Sequence, residues 1–323
     1  MRRTVTFALA LALTLVACSP DDTADSTTTV GEPATTAEPT TTSPPTSAST
    51  TSTSTTTVPE TTTTTVSEST TTTAGLEGDW ADEPLIVAGF GALGWWDGSD
   101  WIMAEDVGAL PVVGGEDYQI ARIGLQAITT AGAQTLVCDP IGIIGVEVDN
   151  AELLGEWPGP YGVAISAPWE LQPHLFESLS DDGTYAGFAS ELLSNRGLDV
   201  TSPVIKQLFR ADLEGDGVNE VIVVAEDVNP GLLLDEGDYS IAFLRKAVQG
   251  EVQTAILGAT VVGPGDDQFG ASYTIGAVAD LSGDGKMEIV LDSAFFEGLS
   301  VGVVEYVNDD LGTVTQLEVG CGS

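Results

Sequence analysis

From residue 201 onward the apolar positions fall in short β-branched and aromatic runs separated by Asp- and Gly-rich clusters, the pattern of strands joined by turns. Residues 204–209, 221–224, 239–244 and 252–257 make one set, and residues 273–278, 289–291, 299–306 and 313–319 make a second. Four strands per set is the content of a propeller blade. Between the second and third strands of the first set, Asn229-Pro230-Gly231 and Asp235-Glu236-Gly237-Asp238 mark turns. Upstream, residues 85–87, 94–96 and 101–103 read as strands, the last two joined by Asp97-Gly98-Ser99-Asp100 as a hairpin. Residues 120–129, 135–138 and 143–148 continue the β pattern. One helix is predicted over 184–196: Phe188, Leu192 and Leu193 share a face, Thr184 or Asp182 caps it, and Gly197 ends it. The expected fold is therefore mainly β with one helix, built on propeller-blade-like four-stranded repeats. Two repeats do not close a propeller, which takes four or more blades. Either the first half holds two degenerate blades or the fold is an open, α+β sandwich-like structure.

Each set carries an acidic loop between its first two strands. The first is Asp212-Leu213-Glu214-Gly215-Asp216-Gly217-Val218-Asn219-Glu220 and the second, 68 residues on, is Asp280-Leu281-Ser282-Gly283-Asp284-Gly285-Lys286-Met287-Glu288. Alternate residues of a tight loop turn their oxygens to one centre, and a hard cation such as Ca²⁺ takes six to eight of them. The first loop offers side chains of Asp212, Glu214, Asp216 and Glu220 with the carbonyl of Val218. The second offers Asp280, Ser282, Asp284 and Glu288 with the carbonyl of Lys286. An EF-hand would close with a glutamate at its twelfth position, where this chain has Val223 and Leu291, and each loop runs into a strand. Asp and Gly also favour plain solvated turns; the same nine-residue spacing at two places favours calcium. Counting carboxylates, four against three and a hydroxyl, ranks the first loop as the tighter.

These segments resemble the FG-GAP or VCBS-type repeats of integrin alpha chains and bacterial surface proteins. The second is the closer, since Phe269-Gly270-Ala271-Ser272 precedes its loop, although Asp292-Ser293-Ala294 stands where that family has Gly-Ala-Pro. The first lacks the Phe-Gly element. The resemblance covers residues 201–323 and implies propeller blades with two structural Ca²⁺ ions, without a catalytic role.

At the other end, Met1-Arg2-Arg3 followed by an apolar stretch from Val5 to Val16, too short to span a bilayer, reads as a secretory signal over residues 1–17. Leu15-Val16-Ala17-Cys18 resembles a bacterial lipobox. That resemblance implies cleavage before Cys18, lipidation of its thiol, and anchoring to the extracellular face of the cell membrane; an ordinary signal peptide is the alternative. Residues 18–75 are dominated by Thr, Ser and Pro and cannot bury enough apolar surface to offset their ordering entropy. They are expected to form a disordered stalk, reaching roughly 40 Å as a coil and about 170 Å as polyproline. The ectodomain then divides into a β-rich part with one helix, 76–200, and the two repeats, 201–323.

The chain has 49 acidic and 9 basic residues, a net charge of −40. It argues against nucleic acid and against attraction to an anionic surface. With Cys18 taken by lipid, Cys138 and Cys321 remain as an even pair in an oxidising setting, and a disulfide between them is expected, closing a long loop worth on the order of 4–5 kcal/mol. Two buried thiols are the alternative.

Candidate chemistry beyond the loops is thin. Trp95, Trp96 and Trp101 flank the first hairpin, where alternate side chains take opposite faces; exposed, they would offer a stacking surface for a glycan or protein ligand, and core packing is the alternative. His174, the single histidine, lacks the Gly-x-Ser-x-Gly, His-Glu-x-x-His or phosphate-loop motifs that would give it a catalytic role, and reads as incidental. The expected function is a lipid-anchored calcium-binding surface protein serving as an adhesion or ligand-binding module. The alternative is a secreted hydrolase acting on polysaccharide, with no catalytic residue identifiable.

Overall fold

The computed structural model describes residues 76–156, 159–180, 183–228, 233–248, 250–266, 269–307 and 312–322. The signal segment, Cys18, the stalk, Asp182 and the turn at 229–231 lie outside the described residues. None of the described helices is long and apolar enough to cross a membrane.

The fold is mainly β with one α-helix. Seven strands form the first sheet: β1 (Ile86–Ala88), β2 (Gly91–Trp96), β3 (Trp101–Met103), β4 (Asp117–Arg122), β5 (Leu125–Val137), β6 (Ile143–Val148) and β7 (Val163–Ile165), in the order β3-β2-β1-β7-β4-β5-β6. The β2–β3 hairpin pairs Trp96 with Trp101, and its turn is held by Asp97 Oδ1, which accepts from the amides of Ser99 (2.8 Å) and Asp100 (2.9 Å). Those bonds hold the Asp97 carboxyl below its ordinary pKa. The run 120–129, expected as one strand, is two. Gly124, at φ 75°, lets the chain reverse between Arg122 and Leu125. The sheet curls until β2 lies against β6, where a side chain on Gly145 would stand 3.3 Å from the Gly91 Cα. So the first half is one curled sheet and not two four-stranded blades.

The second sheet runs β12-β11-β10-β9-β8, from β8 (Phe176–Ser178), β9 (Ile205–Ala211), β10 (Glu220–Asp227), β11 (Tyr239–Val248) and β12 (Glu251–Val261). Helix α1 (Thr184–Ser194) lies between β8 and β9 in sequence. It ends as expected at Gly197, φ 88°, with the Leu198 amide bonded back to the Leu193 carbonyl at 3.1 Å. The third sheet is the meander β13 (Ala271–Ala279), β14 (Glu288–Phe295), β15 (Gly298–Val307) and β16 (Gly312–Gly322). Thus β9–β12 and β13–β16 are both four-stranded antiparallel meanders, as the two sets of apolar runs predict.

The third sheet is buried on both faces, which is why β14 reads as a continuous apolar run. Val290, Val301 and Leu317 pack on Ile86, Leu93 and Ile165 of the first sheet. Ile289, Ile275 and Val304 pack on Phe209, Ile222 and Leu244 of the second. The far face of the second sheet, Val223, Ile241 and Phe243, is closed by Ala189 and Leu193 of α1. Each fully buried Leu or Ile here contributes about 1.5–3 kcal/mol.

Cys138, following β5, and Cys321, on β16, form the expected disulfide with Cα atoms 5.9 Å apart. It ties the first sheet to the third.

Candidate metal centre

The two Asp/Gly loops join β9 to β10 and β13 to β14, and their flanking strands pair in the same register at the 68-residue offset of the sequence. Glu220 pairs with Ala211 and Glu288 with Ala279. The second loop position is a buried anchor in each: Leu213 is 1% exposed and Leu281 is fully buried. The glycines Gly215, Gly217, Gly283 and Gly285 all have positive φ, 70–86°, which L side chains rarely adopt.

Inside this frame the carboxylates organise the turn. Asp212 Oδ2 accepts from the Gly217 amide (3.0 Å) and Asp280 Oδ2 from the Gly285 amide (3.1 Å). Asp216 Oδ1 accepts from Val218 (2.7 Å), and Asp284 Oδ1 from Lys286 (2.8 Å). Glu220 Oε2 takes the Leu213 amide at 2.9 Å, and Glu288 Oε2 the Leu281 amide at 2.7 Å. Among the described residues no three acidic, His or Cys side chains are gathered closely enough to form a ready metal cage; these oxygens face the loop's own amides.

One segment of the first half holds both loops. The Leu175 carbonyl accepts the Asp212 amide (3.0 Å) and the Leu171 carbonyl the Asp280 amide (2.8 Å). Trp169 lies over Gly283, where an added side chain would meet its ring at 3.1 Å, and its Nε1 donates to the Asp280 carbonyl (2.9 Å). His174 lies over Gly215, the matching glycine, and its Nε2 donates to the Gly285 carbonyl at 2.7 Å. His174, incidental by sequence, is thus a bridge between the loops. A further bond runs directly from the Met287 amide to the Leu213 carbonyl (2.8 Å).

The loops differ in what surrounds their charge. In the first, the Lys246 ammonium of β11 is bonded to Glu214 Oε2 and stands 3.6 Å from Glu220 Oε1. It lies 4.5 Å from the Tyr306 ring centre, a cation–π contact. All three charged groups are buried or nearly so. Burial opposes the ammonium charge, but the two glutamates prevail and raise the Lys246 pKa. Burial raises that of Glu220.

In the second loop the only ion pair among the described residues is Lys286 with Asp284, at 3.9 Å and about half exposed. Burial pushes the Asp280 carboxyl up to about 6 and Glu288 to about 8, with Asp284 adding to both by like-charge repulsion. Ser282 Oγ is buried and makes no well-formed hydrogen bond, although it lies near enough to Glu288 to steady its charge. Two buried carboxylates, a half-exposed third, a spare hydroxyl and loop carbonyls are the oxygen donor types a hard divalent cation takes.

Of the tryptophans, Trp95 is turned into the first sheet's core and is 8% exposed. Trp96 and Trp101 face each other on the hairpin with ring centres 5.4 Å apart, half-buried, and Trp101 Nε1 donates to Glu305 Oε2 at 3.3 Å.

Compared with protein-family models, with curated proteins and with solved structures, the chain finds no match.

Proposed function

We propose that the chain is a lipid-anchored, calcium-binding surface protein of the FG-GAP or VCBS repeat kind, held at the extracellular face of the membrane, whose β ectodomain serves as an adhesion or ligand-binding module. The observation that carries the calcium part is the second loop, where Asp280 and Glu288 are buried, Asp284 stands half-exposed in the same turn, and the one ion-paired lysine, Lys286, is itself half-exposed. A divalent ion there would discharge the repulsion and brace the β13–β14 junction against the clamping segment at 169–175. Its role is structural; Asp280 and Glu288 are buried and present no open coordination face to a substrate. Export is supported by the leader and by the Cys138–Cys321 bridge, which suits an oxidising compartment. For the ligand contact we assign Trp96 and Trp101, with Trp95 acting from below as packing.

Calcium titration of the full chain, by calorimetry and by melting with and without chelator, tests the metal part. Saturable binding lost in Asp284→Ala, with a melting shift reversed by chelator, is the expected result; no binding and no shift overturns it. Glycan and protein arrays probed with the wild-type chain and with Trp96→Ala test the contact. Turnover of a polysaccharide in place of retention would favour a hydrolase.

A further inference from the structure

We propose that Lys246 is the resident cation of the first loop and closes it to metal, so that the chain takes calcium at the second loop alone. This rests on the calcium reading above and reverses the ranking that carboxylate count suggests.

Strand register selects the residue. In the β10–β11 ladder Val221 stands opposite Arg245, so the next step sets Glu220 opposite Lys246. In the β14–β15 ladder Ile289 stands opposite Val304, so the next step sets Glu288 opposite Glu305. Directly opposed residues of antiparallel strands share a face. The same place in the fold therefore carries a lysine beside one loop and a glutamate beside the other.

The lysine fills what it faces. Glu220 is fully buried, and its Oε1 finds no hydrogen-bond partner, only the ammonium at 3.6 Å. Glu214, the ligand that distinguishes the first loop from the second, is bonded to the same ammonium. A divalent ion entering this loop would have to displace a buried ammonium or share a site with its like charge. In the second loop Glu305 points elsewhere, accepting from Trp101 Nε1 and from Gln316 Nε2 at 2.8 Å, and adds negative potential where the first loop has positive.

The test is a reciprocal exchange in the full chain, read by calorimetric titration with calcium chloride and checked for folding by near-ultraviolet circular dichroism. Wild type is expected to bind one calcium ion and Lys246→Met two, while Glu305→Lys lowers affinity at the second loop at least tenfold and Glu305→Gln retains it. Two ions on the wild-type chain, or a folded Lys246→Met that still takes one, overturns the inference and leaves the calcium reading standing. Should Lys246→Met fail to fold, the exchange at 305 decides: Glu305→Lys that folds and binds as wild type overturns the inference. No calcium on wild type and none on Lys246→Met overturns the calcium reading itself.

Discussion

The two Asp/Gly loops share a ladder register and a set of loop hydrogen bonds and differ in their electrostatics. Both hang from a buried leucine, turn on glycines at positive φ, and tuck under a ring from the 169–174 segment. Yet in the first a buried Lys246 counters Glu214 and Glu220, two of its four acids, and the second holds three acids against one half-exposed lysine. The difference teaches that the cradle and its charge are set by separate parts of the chain: the nine-residue loop builds the turn, and the third strand of each meander supplies or withholds the cation.

That separation can be broken at its strongest point. Truncating Lys246 to Ala leaves Glu214 and Glu220 buried without a counter-charge, and urea unfolding of the chelated protein is expected to show a loss of about 3–5 kcal/mol. Glu305→Ala, at the matching place, should cost less than about 1 kcal/mol, since that side chain is only part-buried. Equal losses would mean that the two surroundings are not distinct. By contrast Leu213→Ala and Leu281→Ala should each cost about 2–5 kcal/mol and resemble one another, because the anchoring of both loops is common.

Burial raises one carboxyl in the first loop and two in the second. Glu288 and Asp280 have folded pKa values of about 8 and about 6, raised from 4.5 and 3.8. A carboxyl whose pKa is raised on folding contributes stability below its unfolded pKa that is lost as pH climbs through the folded value. Chelated protein is therefore expected to lose on the order of a few kcal/mol between pH 4.5 and pH 8. Glu288→Gln flattens the slope, and saturating calcium removes most of it. A melting temperature that rises over the same interval without calcium would contradict this assignment. The glycines of the two loops give smaller effects than the anchoring leucines. Gly215→Ala and Gly283→Ala meet His174 and Trp169 as well as a strained φ and should cost about 1–3 kcal/mol, whereas Gly217→Ala and Gly285→Ala enter open space and should cost about 1 kcal/mol.

The loops, their spacing and the strands around them were legible because each depends on contacts within a few residues. Glu288 and Leu281 form their hydrogen bond across seven positions, and β14 declares itself by a run of β-branched residues. The clamp was not legible. His174 reaches Gly285 across 111 residues, and nothing in Trp169-Glu170-Leu171-Gln172-Pro173-His174 has a period that announces a partner. Lys246 was hidden for a similar reason, since its facing residue is a matter of ladder register, invisible to a count of acids in the loop. In the first half, β7 is three residues long and pairs with β1 and β4, an order that no local pattern encodes. The turn at Gly124 sits between apolar neighbours and offers only one glycine as a signal, which is why residues 120–129 read as a single strand.

The bridge from Cys138 to Cys321 turns everything between those residues into a covalent ring, and both loops, the helix and the whole third meander up to its last residues lie on it. Under proteolysis the consequence is topological. One cut in any turn on the ring converts a closed circuit into an open one without releasing a fragment, and the non-covalent contacts on either side of the cut still hold its ends in place. Releasing a piece of this region takes two cuts or a reductant, so a singly nicked molecule migrates as one band until the bridge is reduced.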